Sequence, residues 1–183
     1  MIGWNLPVTV TVGGQLFAIR SDFRAVLDAL AALQAPDLTE QERRVAFCRI
    51  LYPRWRELPD YREAFTQAVA FVNLGQPVED RPHTAPLADW SQDAQLIAPA
   101  VDEVLGYSCR QCQYLHWWDF LGAYQSIKPD GLFGTVIRIR NKRRKGKKLD
   151  EAETAFAREN PALITPPHRR TEEEERLLAL LGE

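Results

Sequence analysis

Cys109, Cys112 and His116 are the residues in this sequence whose types and spacing could hold a metal or exchange electrons. A Cys-x-x-Cys pair with a histidine four residues further on supplies three ligands of the kind zinc takes. A closed site needs a fourth, and the chain offers only Cys48, His83, His168 or a carboxylate, none in a second paired motif. The surroundings of the pair also lack the βαβ pattern of a thiol–disulfide oxidoreductase. Cys112 and His116 are therefore expected in a buried helix, as small or polar-tipped core residues, with no metal and no cofactor. The chain has no Gly-x-Ser-x-Gly, no glycine-rich phosphate loop, and three scattered histidines. Its carboxylates fall at helix starts, where capping accounts for them. No catalytic residue is assigned, and the chain reads as a non-enzyme.

A second chemical feature is electrostatic. Arg138, Arg140, Lys142, Arg143, Arg144, Lys145, Lys147 and Lys148 are eight cations in eleven residues with no acid among them. The rest of the chain holds 15 basic residues against all 25 acids, a formal charge of −10. Such a run attracts polyanions. It has no interleaved aromatics for stacking bases and no helix-turn-helix around it. The alternative is a solvated basic helix end that pairs with acidic surfaces of the same or a neighbouring subunit.

A third feature is apolar. Leu115-His116-Trp117-Trp118-x-Phe120 is the most unusual local string, and adjacent tryptophans can bury a large area. Core packing is one reading and an interface hot spot at Trp117 and Trp118 the other. Leu177, Leu178, Leu180 and Leu181 follow a Thr171/Glu174 capping-box pattern and four glutamates at 172 to 175. They read as a short helix that either docks on another chain or folds back as a strut.

These residues must be positioned by a mainly α fold, with an N-terminal β-hairpin followed by two small helical lobes. Residues 8–12 and 15–19 alternate around Gly13-Gly14, the pattern of a tight hairpin. Helices are expected from Ser21 or Asp22 to before Pro36, over 39–52 behind a Thr39/Glu42 capping box, and from a second such box at Asp60/Glu63 to Gly75. Ser91 is expected to open the next helix, with Pro99 kinking it or marking its true first turn. Residues 112–127 should form the central aromatic helix of the second lobe. Residues 132–144 alternate in part like a strand, but helix is the reading taken. Residues 149–160 form a further short helix stopped by Pro161. The organisation read from this is a hairpin plus three-helix lobe at 1–75, a linker at 76–89, a second helical lobe at 90–165, and a short helix or tail at 166–183.

With 183 residues, 45% of them hydrophobic, the chain can bury a core without staples. Three cysteines are too few and too odd in number for a disulfide framework. No run approaches the ~18 apolar residues of a membrane span, and the first residues lack a secretory signal pattern, so no membrane partner is expected.

The run Leu115-His116-Trp117-Trp118-Asp119-Phe120-Leu121, preceded by Asp93-Ala94-x-Leu96-Ile97 and followed by a basic segment and a short acidic helix, resembles a family of small tail-module proteins of long-tailed bacteriophages and prophages. The hairpin passing into Ser21-Asp22-Phe23-Arg24 is similar to that family's N-terminal region, so the resemblance spans most of 16–163. It implies a non-enzymatic tail assembly chaperone, encoded beside the tape measure protein, that binds this long apolar chain before the tail tube polymerises around it. The implied partners are the tape measure protein, other tail assembly proteins and further copies of the chain. The implied location is the bacterial host cytoplasm, not the mature virion. Amphipathic helices, Trp117, Trp118 and the leucines at 177, 178, 180 and 181 are the contacts this reading expects. Nucleic acid binding through Arg138 to Lys148 is the alternative.

Overall fold

The computed structural model describes residues 4–76 and 86–165. They form a mainly helical protein with an N-terminal hairpin and, among the described residues, eight α-helices. Strands β1 (Thr9–Val12) and β2 (Gln15–Ala18) pair antiparallel, Val10 opposite Phe17 and Val12 opposite Gln15. Gly13 and Gly14 take φ of 58° and 75°, the left-handed values a two-residue turn needs. The turn is also crowded: a Cβ on Gly13 would lie 2.7 Å from Pro59 Cγ.

The helices are α1 (Phe23–Ala32), α2 (Glu40–Leu51), α3 (Tyr61–Val72), α4 (Ala94–Leu105), α5 (Trp117–Gln125), α6 (Leu132–Arg144), α7 (Glu151–Glu159) and α8 (Pro161–Ile164). Local chemistry accounts for most of their starts. Asp22 rather than Ser21 caps α1, accepting from the Arg24 N–H. Thr39 and Glu42 complete the capping box of α2 in both directions, and Asp150 with Glu153 does the same for α7. At α3 only half the expected box forms. Asp60 accepts from the Arg62 and Glu63 N–H groups, while the Glu63 carboxylate turns to the hairpin and accepts from Gly13 N–H at 2.9 Å. The turn offered an unpaired donor, and Glu63 ties α3 to it.

Ser91 does not cap α4. Asp89 accepts from the Ser91 and Gln92 N–H groups, and the regular helix begins at Ala94 with Pro99 inside it. The expected linker lies largely at 77–85, outside the described residues. The 132–144 segment is the helix α6, because Phe133, Val136, Ile139 and Arg140 share a buried face at three- and four-residue spacing.

The chain splits into two compact units, one of Met1–Arg81 with Ile97–Ile127, the other of Pro82–Leu96 with Lys128–Glu183. This cut differs from the contiguous one read in the sequence. The aromatic helix, expected at the centre of the second lobe, belongs to the first unit. It is also shorter than 112–127, since His116 is its N-cap and residues 112–115 lie outside it. The reason is specific pairing: Phe120 stacks on Phe23 of α1 with ring centroids 4.4 Å apart, and both Trp indoles bond to the end of α3. In the second unit Val136, Ile139, Ala157 and Ile164 form the core.

Candidate partner-binding surfaces

The string around Trp117 is built by pairing between distant segments. Phe23 N–H donates to Leu115 O at 3.0 Å and Trp117 N–H to Ser21 O at 2.7 Å, a short antiparallel bridge between Asp22 and His116. Two N-cap residues, Asp22 and His116, thus lie side by side and launch α1 and α5. His116 is buried; its Nδ1 accepts from Trp118 N–H at 3.0 Å and its Nε2 donates to Pro7 O at 2.9 Å. Trp117 is only 2% exposed and donates its indole N–H to Val72 O at 2.8 Å. Trp118 is half-buried and donates to Phe71 O at 2.8 Å. At the end of α3 the Trp117 indole thereby satisfies Val72 O, and Phe71 O accepts from the Trp118 indole as well as from Leu74 N–H at 3.2 Å. Trp117 is a core residue of this unit, and Trp118 keeps a partly accessible ring.

Cys109 and Cys112 belong to a loop held by Arg24, whose Nη2 donates to Cys109 O at 2.9 Å and Cys112 O at 2.8 Å. Its Nη1 binds the Asp22 carboxylate, so the same guanidinium joins the α1 cap to the loop. The Cys112 thiol donates to Cys109 O at 3.1 Å. Burial pushes the Cys109 thiol up to about 12, and the Asp102 carboxylate, which also accepts from Cys109 N–H at 2.7 Å, adds to this. Burial likewise raises Cys48 to about 11. Both remain protonated near neutrality, whereas metal binding and nucleophilic attack require thiolate. His116, with both ring nitrogens engaged, is not brought together with them. Among the described residues no group of three or more His, Cys, Asp or Glu side chains has the geometry to hold a metal ion; His83 and His168 lie outside those residues.

The basic segment divides in two. Arg140 is buried, and its five N–H groups make five bonds to four acceptor oxygens. Nη1 donates to Asp93 Oδ2 at 2.7 Å and Leu87 O at 2.8 Å; Nη2 donates to Asp93 Oδ1 at 2.9 Å and Leu163 O at 2.7 Å; Nε donates to Leu163 O at 3.1 Å. Arg138 Nε and Lys142 Nζ bind opposite oxygens of Glu153, at 3.1 and 2.5 Å. These three cations hold their own unit together. Arg143, Arg144, Lys145, Lys147 and Lys148 are exposed, around the end of α6 and Gly146. Three of the eight lie in its last turn, where cations suit the negative end of the helix dipole.

The Glu153 carboxyl is lowered to about 2, first by its bond from Lys142, then by the Asp150 backbone N–H and by Arg138. A carboxyl depressed on folding contributes stability that is complete above its unfolded pKa and lost as pH falls through the folded one. The second unit should therefore lose stability as pH falls from about 4.5 towards about 2. Comparing melting temperatures across that range for the natural protein and Glu153→Gln checks this, and an equal slope in both would contradict it.

Two neighbouring clefts, not anticipated from the sequence, flank the outer side of α2. One, of about 520 Å³, lies between α2 and α3 and is lined by Gln41, Arg44, Val45, Tyr61, Arg62 and Phe65 with Thr66. The other, of about 540 Å³, shares Gln41 and Val45 and continues to Leu38, Ala46 and Arg49. The signal was there in the spacing 38, 41, 42, 45, 46 and 49, a single helical stripe, but it mixes apolar and polar residues and does not read as a buried face. Leu177, Leu178, Leu180 and Leu181 lie outside the described residues.

No curated protein and no solved structure matches this chain. One protein-family model does, over residues 4–160, and its description is Bacteriophage Gp15 protein. That stretch runs from before the hairpin to the end of α7, taking in the Asp22–His116 bridge, the paired tryptophans and the Asp93–Arg140 pair. The chain therefore belongs to the bacteriophage Gp15 protein family.

Proposed function

We propose that this phage protein is a tail assembly chaperone that binds the tape measure protein during tail assembly, without catalysing a reaction. The observation that carries the reading is membership of a phage family over 4–160, together with the His116-Trp117-Trp118 string that resembles tail-module proteins. A helical surface with a partly open cleft along α2, where Leu38, Val45 and Ala46 supply apolar contact, suits a long helical client, which a helix-in-groove contact holds by its apolar face. Weak contacts repeated along one client would add up through effective concentration. Among the described residues no helix is long and apolar enough to cross a membrane. The reading places the chain in the bacterial host cytoplasm during assembly and outside the finished virion, with other tail assembly proteins as further partners.

Co-expression with the neighbouring tape measure gene is the test. The client is expected to move into the soluble fraction and to co-purify with this chain. A client equally insoluble with and without it, and no isolable complex, would defeat the reading.

A polyanion reading retains the exposed cations Arg143, Arg144, Lys145, Lys147 and Lys148. Duplex affinity falls with salt at a log–log slope of about −0.9 per phosphate contact, so five cations predict a slope no steeper than about −4.5. Absence of duplex or single-strand binding at low salt removes this alternative.

A further inference from the structure

We propose that the cleft between α2 and α3 receives the segment 171–181 of a second copy of this chain. Half-buried Val45 and Phe65 form an apolar floor, with Tyr61 38% exposed at its edge. The rim is cationic. Arg44 pairs with Glu40 and lies over the Phe65 ring, 5.3 Å from its centroid, while Arg62, and Arg49 in the adjoining cleft, form no ion pair among the described residues. An occupant complementary to this surface carries an apolar helical face next to carboxylates.

The segment 171–181 has that composition: four glutamates at 172–175 lead directly into Leu177, Leu178, Leu180 and Leu181. Outside Arg138 to Lys148 and the segment itself, which carries −3, the chain is formally −7, so on balance it repels such a segment. The exposed cations at 143–148 could attract the glutamates but offer no apolar floor for the leucines. The α2–α3 cleft supplies both. The cleft lies in the first unit and the segment in the second, and a neighbouring copy's segment can reach the cleft whatever the arrangement of the two within one chain. The contact is heterologous, with a cleft on one copy and a segment on the next, and adds copies in a row or closes a ring. It stands on the cleft and the segment alone and is independent of any client.

Two full-length variants test it, Arg44→Glu/Arg62→Glu for the cleft and Leu177→Ser/Leu181→Ser for the segment, each checked for an unchanged circular dichroism spectrum. Arg44 and Arg62 are exposed, so their replacement should leave the fold intact. Sedimentation of the natural protein should show a mass that rises with concentration and falls with salt. Each variant alone should remain monomeric. An equimolar mixture should form a dimer and nothing larger, because only one intact cleft and one intact segment are left to meet. A natural protein that is monomeric up to millimolar concentration, an oligomer indifferent to either variant, or a mixture that stays monomeric would each overturn the proposal. So would protection of 171–181 from hydrogen exchange in a protein that never self-associates, which would assign the cleft to the chain's own segment.

Discussion

Asp93→Ala is expected to lower the stability of the second unit by about 3 to 5 kcal/mol, the usual cost of removing one partner of a buried ion pair. Arg140 and Asp93 are each 2% exposed, and the guanidinium bonds the carboxylate through both outer nitrogens. Without Asp93 the charge stays buried with only the carbonyls of Leu87 and Leu163 for company. Adding Arg140→Met removes the stranded charge, so the double variant should be more stable than Asp93→Ala alone, although two carbonyls then lack donors. Urea unfolding of the natural protein, both single variants and the double variant measures this. A double variant whose loss equals the sum of the single losses would show that the pair is not coupled.

Trp117→Ala is expected to cost the first unit about 3 to 5 kcal/mol, the range for large-to-small changes in a packed core. The indole stacks on Phe120 with centroids 5.8 Å apart, and its loss would also leave Val72 O without that donor. Trp118→Ala should cost less, because that ring is half-buried, tilted against Phe71 with centroids 6.2 Å apart. Trp117→Phe separates the two contributions by retaining a ring while deleting the N–H. Thermal unfolding reads both; a Trp117→Ala loss no larger than that of Trp118→Ala would move Trp117 out of the core.

What could be read in the sequence was local. The hairpin needed only two glycines between alternating strands, and the Thr39 capping box closes within four residues. The 132–144 helix could be recovered because Val136 and Ile137 follow Phe133 at three and four residues, which outweighs the alternation at 135–140. What could not be read depends on pairing at long separation. Nothing near Arg140 marks it as different from Arg143, yet one is buried against a carboxylate 47 residues earlier and the other is in water. The aromatic helix could not be assigned to its unit for the same reason. Its partners Val72 and Phe71 are 45 and 47 residues back, and the intervening stretch read as a divider. Glu63 matched a capping box and was taken by a backbone donor 50 residues away. The α2–α3 cleft escaped because a surface with a mixed stripe and cationic rim resembles ordinary solvated helix.

The division at Leu96 and Ile97 falls inside the continuous helix α4, so the two units are interleaved along the chain. During synthesis neither can be finished before the other has begun. The ribosome makes part of the second unit, returns to complete the first, and only then supplies the residues that close the second. Asp93 must wait 47 residues for Arg140, about 2 to 9 s at ordinary translation rates. For that interval the nascent chain carries an acid destined for the interior with no cation to meet it, and the second unit can close only after the first has every residue it needs.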